Sequence, residues 1–243
     1  MEGSNGPDWL REAAAAVRDE AVRFLVTVLQ CTRHPRRFAA AWFAGETRAP
    51  NPIGYVSTAL AVTAAVKSVT GALIGIDDNS GLWSSLAVAT LPYAYYALLG
   101  VLCHIVLRLT GPTRPLSASL AIALYVGGGP GLLLALAIDI DVLLYFMVTD
   151  HPQLQHAFVD APSWAVPILY GLVMVTSGVF VNALASALSG LHASRRRTLV
   201  AIVVALVVSG LLLSALHSTF QFSLGVPHFL FQLHGGSPIS LQF

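Results

Sequence analysis

The 243-residue chain is 56% hydrophobic and only 10% charged, with a mean hydropathy of +0.72. Soluble domains carry about 25% charged residues, so this inventory cannot clothe a water-exposed surface, and the chain reads as an all-α integral membrane protein. A net charge of +1 provides no field for a nucleic-acid partner and no acidic tail.

The first twenty residues are too charged for the apolar core of a signal peptide. Asp8 to Gln30 predicts a helix, with Leu10, Val17, Ala21, Phe24 and Val28 at helical spacing and Arg11, Arg18, Asp19 and Arg23 on the other side. Such a helix lies in a membrane interface, with Trp9 at its start; the alternative is an amphipathic helix packed on a partner. In "RHPRRFAAAWF", Pro35 opens a short helix. Arg36 and Arg37 are placed at headgroups there, and Trp42 serves as an aromatic anchor.

Five spans are expected: Pro52 to Ile76, Leu82 to Leu107, Leu116 to about Asp139, Ser163 to Leu191, and Thr198 to His217. Basic residues precede span one, Arg108 and Arg114 separate spans two and three, and Arg195, Arg196 and Arg197 separate spans four and five. The alternate connections, "DDNSG" and the segment with Asp150 and Asp160, have no Lys or Arg. The positive-inside rule then places the N-terminus in the cytoplasm and the C-terminus outside. The chain divides into cytoplasmic interfacial helices (1–51), a five-span domain (52–218) and an apolar external tail (219–243). Long continuous apolar runs exclude an outer-membrane barrel.

The third segment is longer than one perpendicular span needs. Gly127, Gly128, Gly129 and Pro130 interrupt it, which predicts a kinked span, with a broken helix or a re-entrant pair as alternatives.

Lys67 is the only lysine among thirteen basic residues. A lysine at the centre of a span costs about 2.5–3.5 kcal/mol, so it should face protein or water and marks a functional candidate. Depth matching sets Tyr93 and Tyr96 of span two at its level, with Asn182 somewhat deeper. Asp139 and Asp141 lie near the outer end of span three, where Lys67 can snorkel towards them. The functional alternative is a polar midplane site for an ion, proton or small anion; the structural one is a Lys–Asp pair or a lysine capped by tyrosines and carbonyls.

Cys31 and Cys103 form no disulfide or zinc pattern. His104 and His192 both fall on the cytoplasmic side and His217 outside, so at most one pair matches in depth, and no haem or other cofactor beyond lipid is expected. No hydrolase, metalloprotease or phosphate-loop motif is present in the sequence, so no enzymatic activity is expected. Arginine in place of lysine, with abundant Ala, Gly and Leu, suggests a GC-rich bacterial genome and hence the inner membrane.

The layout resembles the Yip family of five-span membrane proteins. The resemblance rests on "RHPRRF" before the first span, "LYVGGGPGLL" in the third, and "WAVPILYGLVMV" leading into "ALSGLHASRRRTLVAIVVALVV". It implies five closely spaced spans with a cytoplasmic N-terminus. Eukaryotic members bind Rab GTPases in vesicle traffic, but this chain lacks the long acidic and aromatic N-terminal segment of that role, so the architecture alone is carried over. The expected function is an oligomeric channel or transporter for an ion or small solute, because five slender helices scarcely enclose a wide pore alone. The alternative is a non-conducting membrane scaffold.

Overall fold

A computed structural model describes residues 8–73, 81–148, 165–192 and 194–220, all of the regular structure among them being helical. The 77–81 and 149–164 connections and the tail fall wholly or largely outside the described residues, and so does the side chain of Asp141.

Helix α1 (Asp8–Arg33) stops because Pro35 disfavours the α conformation in the residue before it; His34 sits at φ −134°, ψ 52°. Pro35 then opens α2 (Pro35–Phe43) at a position where no N–H is needed. Gly45, at φ 75°, closes α2 in the left-handed region. Two reversed bonds, Gly45 N–H to Trp42 O and Glu46 N–H to Ala41 O, complete the stop. Asn51 caps α3 (Pro52–Leu73) by accepting the Ile53 N–H at 2.9 Å.

Helix α4 (Gly81–Leu109) carries Pro92 internally, which removes one backbone donor and is tolerated inside a helical bundle. The third predicted segment is two helices, α5 (Leu116–Gly128) and α6 (Pro130–Val148), interrupted at Gly129. The Gly129 N–H still reaches Tyr125 O at 3.0 Å, and Leu133 N–H reaches Gly129 O at 3.1 Å. The segment is therefore broken by a single residue while its hydrogen-bond ladder continues, and the two halves do not fold into a re-entrant pair. α7 (Ala165–His192) and α8 (Arg195–Phe220) complete the bundle. Ser194 opens α8, its Oγ accepting the Arg197 N–H.

Among the described residues, four stretches are long and apolar enough to cross a membrane: Pro52–Thr70, Ala89–Leu109, Leu116–Ile140 and Gly171–His192. The packing of α8, outside these four stretches, is inverted relative to a soluble bundle. On α8 the residues facing inward are Ala201, Ile202, Ala205 and Ser209, whereas Val200, Val203, Val207 and Leu211 are exposed. Small residues let backbones approach where lipid removes the usual hydrophobic drive. A Cβ on Gly100 would lie 2.6 Å from the Ala123 Cβ, so α4 and α5 touch almost backbone to backbone.

The glycine-rich run has the same logic. A Cβ on Gly127 would meet the Tyr96 ring at 2.5 Å, and one on Gly128 the Tyr55 ring at 2.6 Å. The glycines thus open berths for aromatic rings from α3 and α4 as well as interrupting the helix. Tyr125 anchors an aromatic cluster there, with ring centroids 5.0 Å from Phe38, 5.7 Å from Trp42 and 5.3 Å from Tyr55. Phe24 of α1 stacks on Tyr55, and the Tyr125 hydroxyl donates to Pro50 O. This cluster ties α1 and α2 to the bundle.

One end of the bundle gathers the basic connections. The Arg114 guanidinium lies 4.7 Å over the Phe43 ring. Arg197 donates to Leu107 O at 2.9 Å, at the carbonyl end of α4 where a cation is favoured.

Candidate functional site

Lys67 stands about 15 residues, hence about 22 Å, along α3 from Pro52. Its Nζ lies 2.8 Å from Asp139 Oδ1 of α6. The Asp139 side chain is 8% exposed and that of Lys67 is 27% exposed, so the carboxylate is enclosed while the ammonium keeps one open flank. Asp139 Oδ2 is buried with no hydrogen-bond partner among the described residues. A carboxylate can accept about four hydrogen bonds, so half of this one's capacity is turned inward and unused.

One turn before Lys67, the Thr63 hydroxyl donates to Ala59 O at 2.9 Å and meets the Tyr93 hydroxyl at 3.0 Å. Tyr93 and Tyr96 pack edge to face at 5.9 Å, and the Tyr96 hydroxyl donates to Gly131 O at 3.4 Å. Phe180 of α7 covers Tyr96 at 4.9 Å. Lys67 thus meets Asp139 directly, one of the two carboxylates within its snorkelling reach, while Tyr93 is linked to the turn below through Thr63.

Asn182 does not join them. It is exposed and lines a pocket with Arg33, His34, Arg36, Arg37 and Ser186 near the α1–α2 junction. Depth fixes the level of a residue but not the face it occupies, and the Asn182 face of α7 points at α2. Trp42 lies in the Tyr125 cluster, Trp9 is 66% exposed on α1, and Arg195 and Arg196 are exposed at the start of α8.

A second buried polar cluster joins α4, α5 and α7. His104 Nδ1 and His192 Nε2 each lie 3.1 Å from Ser119 Oγ, and all three residues are buried. The Arg114 backbone N–H points at His192 Nδ1 over 3.4 Å. A backbone N–H can only donate, so Nδ1 of a neutral His192 accepts and its Nε2 carries the proton towards Ser119. Ser119 then donates to His104 Nδ1, giving a directed chain of three hydrogen bonds. The two histidines share a depth in the sequence, whereas nothing there marks Ser119 as their partner beyond its position one turn inside the basic end of its segment.

Among the described residues no three His, Cys, Asp or Glu side chains converge on a possible metal site. No protein-family model, curated protein or solved structure matches the chain. What the geometry establishes is a multi-pass helical membrane protein with two buried polar clusters, Lys67–Asp139 and His104–Ser119–His192.

Proposed function

We propose that the protein is a membrane transport protein in which the Lys67–Asp139 pair binds or relays a small ion or proton. The observation that carries this reading is the buried, unpartnered Asp139 Oδ2 beside a partly open ammonium. Charges within spans are costly and belong by default to functional sites. The buried carboxylate, with Oδ2 unpartnered among the described residues, supports a site that takes up a proton or a polar partner when the pair opens.

The topology that goes with this reading, in a bacterial inner membrane, has α8 as a fifth span, with the basic end and the N-terminus in the cytoplasm. The exposed apolar flank of α8 suits lipid or a second copy, and an oligomer would supply the walls that five helices lack. The architecture is that of the Yip family, with no enzymatic activity assigned.

The test is reconstitution of the full chain into liposomes, with proton, potassium and chloride flux followed after an imposed gradient. Flux above that of empty vesicles, lost in a folded Asp139→Asn variant, is the expected result. Absence of flux for all three ions, or flux equal to that of the parent in both Asp139→Asn and Lys67→Met, refutes the proposal.

A membrane-bound scaffold is the second reading. It is favoured by α1, whose Trp9, Leu10, Val17 and Val22 are all exposed and suit an interfacial anchor. Deleting 8–22 would then abolish function and leave any flux intact.

A further inference from the structure

Two adjoining cavities lie around the α1–α2 junction, and they differ in chemistry. The first, of about 290 Å³, is lined by Arg33, His34, Arg36, Arg37, Asn182 and Ser186. No carboxylate lines it, and α2 begins in its wall without a side-chain cap, so the positive end of that helix adds to three guanidinium groups. Asn182, Ser186 and Gly190 recur every four residues along one face of α7. A Cβ on Gly190 would lie 2.5 Å from Arg36 O, so Gly190 is what lets α2 seat closely enough for the other two to reach the basic residues.

The second cavity, of about 510 Å³, shares His34 and Arg37 with the first. Its wall includes Val22, Val26, Phe38 and Ala41, with Arg23, Glu46 and Arg48 at polar positions. Thr47, also in this wall, has its Oγ1 buried and unpartnered among the described residues. A basic cavity beside a partly apolar one, with His34 and Arg37 in both walls, suits an amphiphile better than a free anion.

We infer that this junction binds an anionic phospholipid, with the headgroup phosphate among Arg33, His34, Arg36 and Arg37 and the glycerol and acyl portion along the Val26–Phe38 wall. Basic pockets at the cytoplasmic ends of spanning helices hold phosphate headgroups through charge-assisted bonds. This site is distinct from the Lys67–Asp139 pair, so its failure and that of the transport reading are separable.

The full chain, purified in mild detergent, is titrated with phosphatidylglycerol, phosphatidylcholine and inorganic phosphate, and bound adducts are read by native mass spectrometry. The expected result is retention of phosphatidylglycerol at least about tenfold over phosphatidylcholine, with no displacement by inorganic phosphate. The R33Q/R36Q/R37Q variant should erase that preference, while R195Q/R196Q, which removes exposed charge elsewhere, should keep it. Equal loss in both variants, or displacement by inorganic phosphate, overturns the inference. If the triple variant does not fold, N182L/S186L decides. It retains every charge and should lower the preference about threefold through the lost hydrogen bonds, and an unchanged preference overturns the inference.

Discussion

Replacing Lys67 by Met keeps the length of the side chain and removes its charge, leaving Asp139 with both oxygens unpartnered. Breaking a buried ion pair from one side costs about 3–5 kcal/mol, mostly as the penalty of the stranded charge. With Lys67 27% exposed, the pair is not fully enclosed, and the expected loss falls to about 2–3 kcal/mol. The reverse substitution, Asp139→Leu, strands the ammonium instead. That group sits on a flexible stem with one open flank and can swing towards water, so the expected loss is smaller, about 1–2 kcal/mol. The double variant removes both charges and should lie within about 1 kcal/mol of the parent.

The cycle therefore predicts a coupling of about 4 kcal/mol and a definite order of the two single variants. Equilibrium unfolding of purified protein by SDS in mixed micelles, followed by helicity, measures all four corners. Additive effects, each under about 0.5 kcal/mol, would show that no such pair exists in the membrane. A larger loss for Asp139→Leu than for Lys67→Met would refute the argument from exposure.

Gly128→Ala should cost about 1–3 kcal/mol because its Cβ would overlap the Tyr55 ring. Gly54→Ala has open space around it and should stabilise by about 0.5–1 kcal/mol; thermal melts in detergent compare the two. Tyr125→Phe leaves the Pro50 carbonyl without its hydroxyl donor, for an expected loss of about 1–3 kcal/mol in the same melts. Cys31 is fully buried, and burial pushes its thiol well above the ordinary value. In a Cys103→Ala background, raising the pH through 9 should therefore leave maleimide labelling of the folded protein slow, and rapid labelling there would contradict this packing.

The sequence exposed this architecture unevenly, for physical reasons. Lys67 and Asp139 could be paired because charge in an apolar run is rare and a lysine stem is long enough to snorkel towards a carboxylate at another level. Asn182 does not join them, which the sequence could not show because the spans are apolar around their whole circumference and nothing marks which face of α7 meets α6 and which meets α2. The same ambiguity hid Ser119, whose hydroxyl gains meaning only from two histidines on other helices. Proline and glycine marked where the third segment would be interrupted, though they favoured a kink over the one-residue break at Gly129. That Gly127 and Gly128 also seat Tyr96 and Tyr55 could not be read, because a ring packed on a backbone leaves no periodic trace. Trp42 likewise suits an interface by composition, whereas α2 lies close enough to α5 to bring it onto Tyr125.

The two buried clusters share one structural member. Ser119 is on α5 and Asp139 on α6, on either side of the Gly129–Pro130 break. That break is clamped from two directions. Tyr55 lies against Gly128 and Gly129, and Tyr96 lies against Gly127 and Gly131 while donating to Gly131 O. Bending at Gly129 would carry Asp139 relative to Ser119, and it must first lift one of these tyrosines off glycine backbone. Tyr96 packs on Tyr93, and Tyr93 bonds Thr63 one turn below Lys67. The contacts that fix the bend are therefore continuous with those around the lysine. Opening the Lys67–Asp139 pair by moving α6 is mechanically coupled to the tyrosine packing, whereas opening it by a lysine rotamer change is not. This distinction separates a gated site from a static one.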